Sequence, residues 1–285
     1  MTQSQKAVRL LELHHGDQPV VLINAWDAAS ARVVEHAGFP AIATTSAGVG
    51  NALGYADGQN VPWIEMAQAI ERIATAVQVP VTADIESGFT SDTPDTNDTQ
   101  GLARVIEQVI EVGAVGVNLE DSVPGHAGHS VLYSIDAQVA RIQAVRQVGD
   151  KLKVPLVINA RTDAYWQTGA SPADAMRNTL ERGHAYLKAG ADCIFVPGLR
   201  DPAQISKVVG EWKSPINILA GPGVPSIPEL AKLGVKRISY GSGPMRSAMG
   251  LLRRMCDEAK TSGTYEAMTQ GAISHAELNA LMGKK

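Results

Sequence analysis

The chain has 285 residues, 45% of them hydrophobic and 19% charged, with a formal net charge of −4. That is the composition of an ordinary enzyme with ample material for a core, and it gives no electrostatic case for binding nucleic acid or an anionic membrane surface. The opening MTQSQKAVRL lacks an apolar signal core, no apolar run approaches a membrane span, and Cys193 and Cys256 form neither a disulfide framework nor a zinc spacing, so a cytoplasmic protein is expected.

Along the chain, eight short apolar runs recur: VVLIN (20–24), AIATT (41–45), VPVTAD (79–84), VGVNLE (115–120), PLVINAR (155–161), CIFVP (193–197), INILAG (216–221) and RISYG (237–241). Helix-like segments lie between most of them, at Trp63–Val77, Leu102–Val112, Ala137–Val148, Pro172–Ala189 and Pro202–Val209. Strand alternating with helix predicts right-handed βαβ units, and eight such units close into a (β/α)8 TIM barrel. An open doubly wound sheet is the alternative, but no GxGxxG follows the first strand. About 250 residues suffice for such a barrel, so residues 1–285 read as one domain. Residues 245–285 form its C-terminal helical segment, with Ser274 and Glu277 in a capping-box pattern.

The strand ends carry the chemistry. In VPVTADIESG (79–88) strand alternation puts Asp84 and Glu86 on one side. Two adjacent acids repel unless a cation lies between them, and Mg2+, which prefers oxygen ligands and retains waters, suits that arrangement. A helix cap beside a solvated acid is the simpler reading of this segment alone. Other runs also finish in polar groups: Asn24 and Asp27; Thr44, Thr45 and Ser46; Asn118, Glu120 and Asp121; Asn159, Arg161 and Asp163. In barrel enzymes these ends converge on one mouth. Acids gathered there cost stability unless a metal or polar ligand offsets their repulsion.

Five segments, NAWDAASARVVEHAGFPAIATTSAG (24–48), GYADG (54–58), ADIESGF (83–89), GAVGVNLED (113–121) and NARTDAY (159–165), resemble the isocitrate lyase/phosphoenolpyruvate mutase superfamily in order and spacing. The likeness is to its small bacterial members that bind 2-oxo acids. It implies that Asp84 ligates Mg2+ (Mn2+ as a substitute), and that Asp57, Glu86 and Glu120 hold the metal's waters. The backbone at Ser46, Ala47 and Gly48 would grip a substrate carboxylate, with Asn118 beside it, and Arg161 would pair with a carboxylate or phosphonate. A tetramer that exchanges a C-terminal helix is also implied. Glu86 stands where the family usually has aspartate, which favours contact through water.

The fourth loop departs from the lyases of that family. They carry Lys-Lys/Arg-Cys-Gly-His, whose cysteine protonates the leaving carbanion, whereas this chain reads SVPGHAGHSVLYS (122–134), with Ala127 at the cysteine's place. No Lys or Arg occurs between 122 and 140, and a mutase-type gating loop is not evident. His129 is the replacement acid–base candidate, with His126 and Tyr133 behind it. Arg161 and Glu120 complete the catalytic candidates.

The expected function is therefore Mg2+-dependent carbon–carbon cleavage of a small 2-oxo or 2-hydroxy di- or tricarboxylate through a metal-stabilised enolate. The alternatives are carbon–phosphorus chemistry, as in phosphonopyruvate hydrolase or phosphoenolpyruvate mutase, and a catalytically weak barrel that binds a 2-oxo acid. No strand tip offers a lysine for a Schiff base. YGSGPMRS (240–247) reads as an ordinary tight turn rather than a phosphate cradle, and Asp163 and Asp192 as structural acceptors.

Overall fold

Each of the eight apolar runs forms parallel strand in the computed structural model, which describes residues 1–90, 97–125, 131–167 and 169–283. The strands are β1 (Val20–Leu22), β2 (Asn24–Ala25), β3 (Ile42–Thr44), β4 (Val81–Asp84), β5 (Gly116–Glu120), β6 (Val157–Arg161), β7 (Cys193–Phe195), β8 (Ile216–Leu219) and β9 (Arg237–Ser239). They lie in the order β1-β9-β8-β7-β6-β5-β4-β3-β2, a nearly closed barrel of nine strands rather than eight.

The extra strand arises because the run 20–24 splits at Ile23. Its first part pairs with β9 and its second with β3. Asn24 holds this seam: its Nδ2 donates to the Thr44 carbonyl at 2.7 Å, and its Oδ1 accepts from the backbone N–H groups of Tyr240 and Gly241, each at 2.8 Å. Those two bonds occupy the N–H groups at the start of the 240–247 turn.

Outside the strands run α2 (Ala28–His36), α3 (Ser46–Leu53), α4 (Trp63–Ala76), α5 (Thr99–Glu111), α6 (Ile135–Leu152), α7 (Pro172–Ala189), α8 (Pro202–Trp212) and α9 (Ile227–Lys232). Their inner faces, such as Ile70 and Ile73 of α4 and Val109 of α5, are fully buried with the outward-facing strand residues Val81 and Val117. Each such aliphatic side chain contributes about 1.5–3 kcal/mol. Local capping starts the helices where the strands deliver the chain. Thr45 accepts from Gly48 N ahead of α3, Asp98 from Gly101 N ahead of α5, and Ser171 from Asp174 N ahead of α7.

Helix α1 (Gln3–His14), which periodicity between strands gives no reason to expect, stoppers the N-terminal end of the barrel. Ala7 and Leu10 are buried there, and Gln3 Nε2 donates to the Ala114 carbonyl at 3.2 Å. At the other end of the chain are α10 (Gly243–Thr261), α11 (Glu266–Thr269) and α12 (His275–Gly283), with Ser274 Oγ accepting from Glu277 N at 3.2 Å. In the single chain α12 rests against its own α2 through the buried Leu281. Met249, Leu252, Met268, Ile273, Leu278 and Met282 remain 38–52% exposed.

Candidate active site

The C-terminal ends of the strands open on a cavity of about 560 Å3, lined by Asp84, Glu86, Glu120, Asp57 and Arg161 among others. Asp84 ends β4 and is held from three sides. Its Oδ2 accepts from Ser46 N at 3.0 Å and Ser46 Oγ at 2.9 Å, and its Oδ1 accepts from Asn118 Nδ2 at 2.9 Å. Asn118 is fixed in turn, because its Oδ1 accepts from Asn159 Nδ2 at 3.0 Å. The rotamer of Asp84 is thus set by Ser46 at the start of α3 and by Asn118 on β5, with Asn159 on β6 behind it.

Glu86 reaches the cavity by a route other than strand alternation. The strand stops at Asp84, and Glu86 takes a left-handed conformation (φ 48°) in a turn closed by Gly88 N donating to the Ile85 carbonyl at 2.7 Å. That conformation is unusual for a non-glycine residue and marks a site where surrounding structure imposes it. The turned carboxylate accepts from Gln59 N at 2.6 Å. Burial, reinforced by the charges of Asp84 and Asp57, pushes its pKa up to about 8.

Glu120 and Arg161 face each other across β5 and β6, which place them in register, with Nη1 to Oε2 at 2.7 Å. The same guanidinium grips Asp163 with Nε at 2.6 Å and Nη2 at 3.1 Å, and it lies 4.9 Å from the centre of the Trp166 ring. Burial opposes the charge on Arg161, but Asp163 and Glu120 outweigh it and hold the guanidinium firmly protonated. At Glu120 burial outweighs the attraction of Arg161, and the carboxyl sits well above the usual carboxylate range. Arg161 is therefore committed to two acids of its own chain, which composition alone does not reveal.

The backbone at Ser46, Ala47 and Gly48 differs from expectation. Ser46 and Ala47 line the cavity at the start of α3 and Gly48 follows them, yet Ser46 N is used by Asp84 and Gly48 N by Thr45 Oγ1 at 3.3 Å. A helix begins here, and its orphan N–H groups are largely consumed by its own cap and by β4. Gly48 is required sterically, because a Cβ there would lie 2.5 Å from Thr45 Cγ2 and 3.1 Å from Trp26 Cβ.

Other expected residues fall outside this group. His126, Ala127 and His129 lie outside the described residues. Tyr133 is buried with its ring 4.6 Å from the Arg141 guanidinium carbon and does not line the cavity. Asp27 caps α2, accepting from Ser30 N at 2.7 Å. Asp121 anchors a buried network in which Arg182 Nη1 donates at 3.0 Å and the Tyr186 hydroxyl at 2.7 Å. Asp192 accepts from Arg146 Nη2 at 2.6 Å and Ile158 N at 2.7 Å, a structural acceptor as expected, as is Asp163. The sequence reading missed Trp166, Phe195, Asn217 and Arg237, all of which line the cavity. Inward parity with Ser239, two residues on along β9, was the available signal for Arg237.

Among the described residues no three His, Cys, Asp or Glu side chains converge closely enough to cage a metal unaided. A hard cation held by one carboxylate and its own waters does not need such a cage. The donor set here fits that arrangement: it is all oxygen, and burial, with the neighbouring carboxylates adding to it, raises Glu86 and Glu120, a cost that a cation between them would offset.

Comparison with known proteins places this geometry. The family model described as phosphoenolpyruvate phosphomutase matches residues 10–260. An uncharacterized protein of Mycobacterium tuberculosis is 36% identical over 84% of this chain and 83% of its own length. The 2,3-dimethylmalate lyase of Eubacterium barkeri is 29% identical over 97% of this chain and 94% of its own. A crystal structure from Burkholderia cenocepacia J2315, its activity given only as lyase/mutase, superposes with a TM-score of 0.89 at 33% identity, covering 99% of this chain and 97% of that one. The chain belongs to the phosphoenolpyruvate phosphomutase family, within the isocitrate lyase/phosphoenolpyruvate mutase superfamily of barrel enzymes.

Proposed function

We propose that this one-domain barrel is a Mg2+-dependent carbon–carbon lyase, with Mn2+ as a substitute, acting on a small 2-oxo or 2-hydroxy di- or tricarboxylate. The observation that carries the reading is the set of carboxylates at one barrel mouth, Glu86 and Glu120 buried and Asp84 pre-oriented by Ser46 and Asn118. Asp84 would hold the cation directly, and Glu86, Glu120 and Asp57 would hold its waters. When bound, the cation supplies Lewis-acid stabilisation of the negative charge that develops on the substrate's keto oxygen.

The chain's own groups do the rest. Ser46 and Asn118 keep Asp84 in one rotamer, and the Trp166 ring packs against the Arg161 guanidinium. Arg161 offers a planar fork to a substrate carboxylate, which must compete with Glu120 for Nη1. Glu120, with its raised pKa, is suited to accept or return a proton beside that fork. His129 remains the first candidate for the acid that protonates the leaving carbanion.

A second reading, carbon–phosphorus chemistry on phosphonopyruvate or phosphoenolpyruvate, is favoured by Ala127 at the place of the lyases' cysteine. The same alanine favours a barrel that binds 2-oxo acids with little turnover. The exposed apolar residues of the C-terminal helices support a homotetramer with exchanged helices, and the exposed free thiol of Cys256 suits the reducing cytoplasm. The deciding experiment incubates the protein and Mg2+ with 2-hydroxy and 2-oxo acids and with phosphonopyruvate. Products are followed by proton and phosphorus NMR. A 2-oxo acid released by carbon–carbon cleavage is expected; inorganic phosphate from phosphonopyruvate would transfer the assignment to the second reading.

A further inference from the structure

Below the carboxylates the cavity continues into the barrel lumen, where a different group of residues lines it. Arg237, Asn217, Thr82 and Asn159 all line this deep end and are 0–2% exposed. Each carries a buried polar atom without a hydrogen-bond partner: Nε of Arg237, Oδ1 of Asn217, Oγ1 of Thr82 and Oδ1 of Asn159. Native interiors leave few such atoms, and four on one cavity floor call for a polar occupant. Asn217 and Arg237 are neighbours in register on β8 and β9.

Arg237 is the exceptional member. No carboxylate among the described residues pairs with it, and its Nη1 meets only His14 Nε2, at 3.3 Å. His14 brings no countercharge. Its Nδ1 lies 2.7 Å from the Leu10 carbonyl, so that nitrogen carries the hydrogen and Nε2 faces Arg237 as a bare lone pair. Burial, with Arg237 adding to it, drives the pKa of His14 down to about 3, and burial draws Arg237 down to about 10. The charge of Asp84 favours the guanidinium without pairing directly with it. A buried, protonated guanidinium with no directly bonded acid is costly, and an anion in the cavity would offset that cost.

We propose that the floor of the cavity is an anion subsite centred on Arg237, with Thr82 and Asn217 beside it, and that it receives a small carboxylate. This site is separate from the Arg161 fork, whose nitrogens already serve Glu120 and Asp163. The identity of the carboxylate as a substrate arm rests on the proposed function; the anion site itself does not require a metal.

The test uses the full-length, chelator-treated protein and formate, the smallest carboxylate, at constant ionic strength. Formate should raise the melting temperature of the wild type. Arg237→Met should need at least about tenfold more formate for the same rise, the scale of a lost hydrogen bond to a charged group, while Arg237→Lys should keep part of the effect. A wild-type crystal soaked in bromide should show anomalous density against Arg237 Nε, which decides the matter should Arg237→Met fail to fold. Equal formate dependence in wild type and Arg237→Met, or only water on the floor of the bromide-soaked crystal, would overturn the proposal. A formate response that survives while Mg2+-dependent 2-oxo acid binding is absent would sink the proposed function and leave this site standing.

Discussion

Glu86→Gln, in chelator-treated protein, tests whether the barrel mouth is a store of uncompensated negative charge. Glu86 is 6% exposed, and its carboxyl rises from an ordinary 4.5 to about 8 through burial and the nearby charges of Asp84 and Asp57. A folded-state pKa above the unfolded value means that the native state binds the proton more tightly. Stability is then greatest below about pH 4.5 for this group and declines as the pH climbs through about 8. The gap between 4.5 and about 8, at about 1.4 kcal/mol per pH unit, is on the order of 5 kcal/mol, and more than half of it has been lost by pH 7. Glutamine preserves the acceptor for Gln59 N, bonded at 2.6 Å in the wild type, without the charge. Urea unfolding from pH 4 to pH 9 should therefore show wild type and Glu86→Gln equal in this contribution at the acid end. The variant should become more stable by up to about 5 kcal/mol at the alkaline end. Saturating Mg2+ should shrink the difference, because a cation beside Glu86 restores the preference for its charged form. A Glu86→Gln variant no more stable than wild type at pH 8.5 without metal would refute the reasoning.

Asp84→Ala should abolish the heat of Mg2+ binding in calorimetry while circular dichroism reports an intact barrel; unchanged metal affinity would remove Asp84 from the site. Arg161→Lys cannot serve Glu120 and Asp163 together, and should weaken 2-oxo acid binding by about 1–3 kcal/mol. Unaltered binding with a much lower melting temperature would make Arg161 purely structural. With alanine at 127, steady-state cleavage of isocitrate or 2-methylisocitrate should fall far below an ordinary kcat of about 10 s−1, since a positioned acid contributes about 10²- to 10⁴-fold. Efficient turnover would show that another group supplies the proton.

The barrel was legible because a parallel strand buried on both faces reads as a short apolar run, and eight such runs separated by amphipathic segments leave little choice of topology. Asp84 and Glu120 were legible as acids at strand ends. Their bonding was not, because Ser46, Asn118 and Asn159 come from distant segments that only barrel closure brings together. Glu86 reached the cavity by an imposed left-handed turn rather than by alternation, a choice made by tertiary packing. The split of the first strand depends on one side chain, Asn24, bonding to both neighbours, which no periodicity encodes. Helix α1 went unnoticed because it lies outside the strand–helix alternation, and Arg237 because a cation opening a short apolar run resembles a solvated strand end.

The central claim, a divalent-cation-dependent site for 2-oxo acids at the Asp84 mouth, is tested most directly by calorimetric titration of oxalate, a planar mimic of a pyruvate enolate, into wild-type protein with Mg2+ and again with chelator. Binding that is clear with Mg2+ and lost, or at least about a hundredfold weaker, with chelator is the predicted result. Equal binding in both conditions, or none in either, would contradict the account.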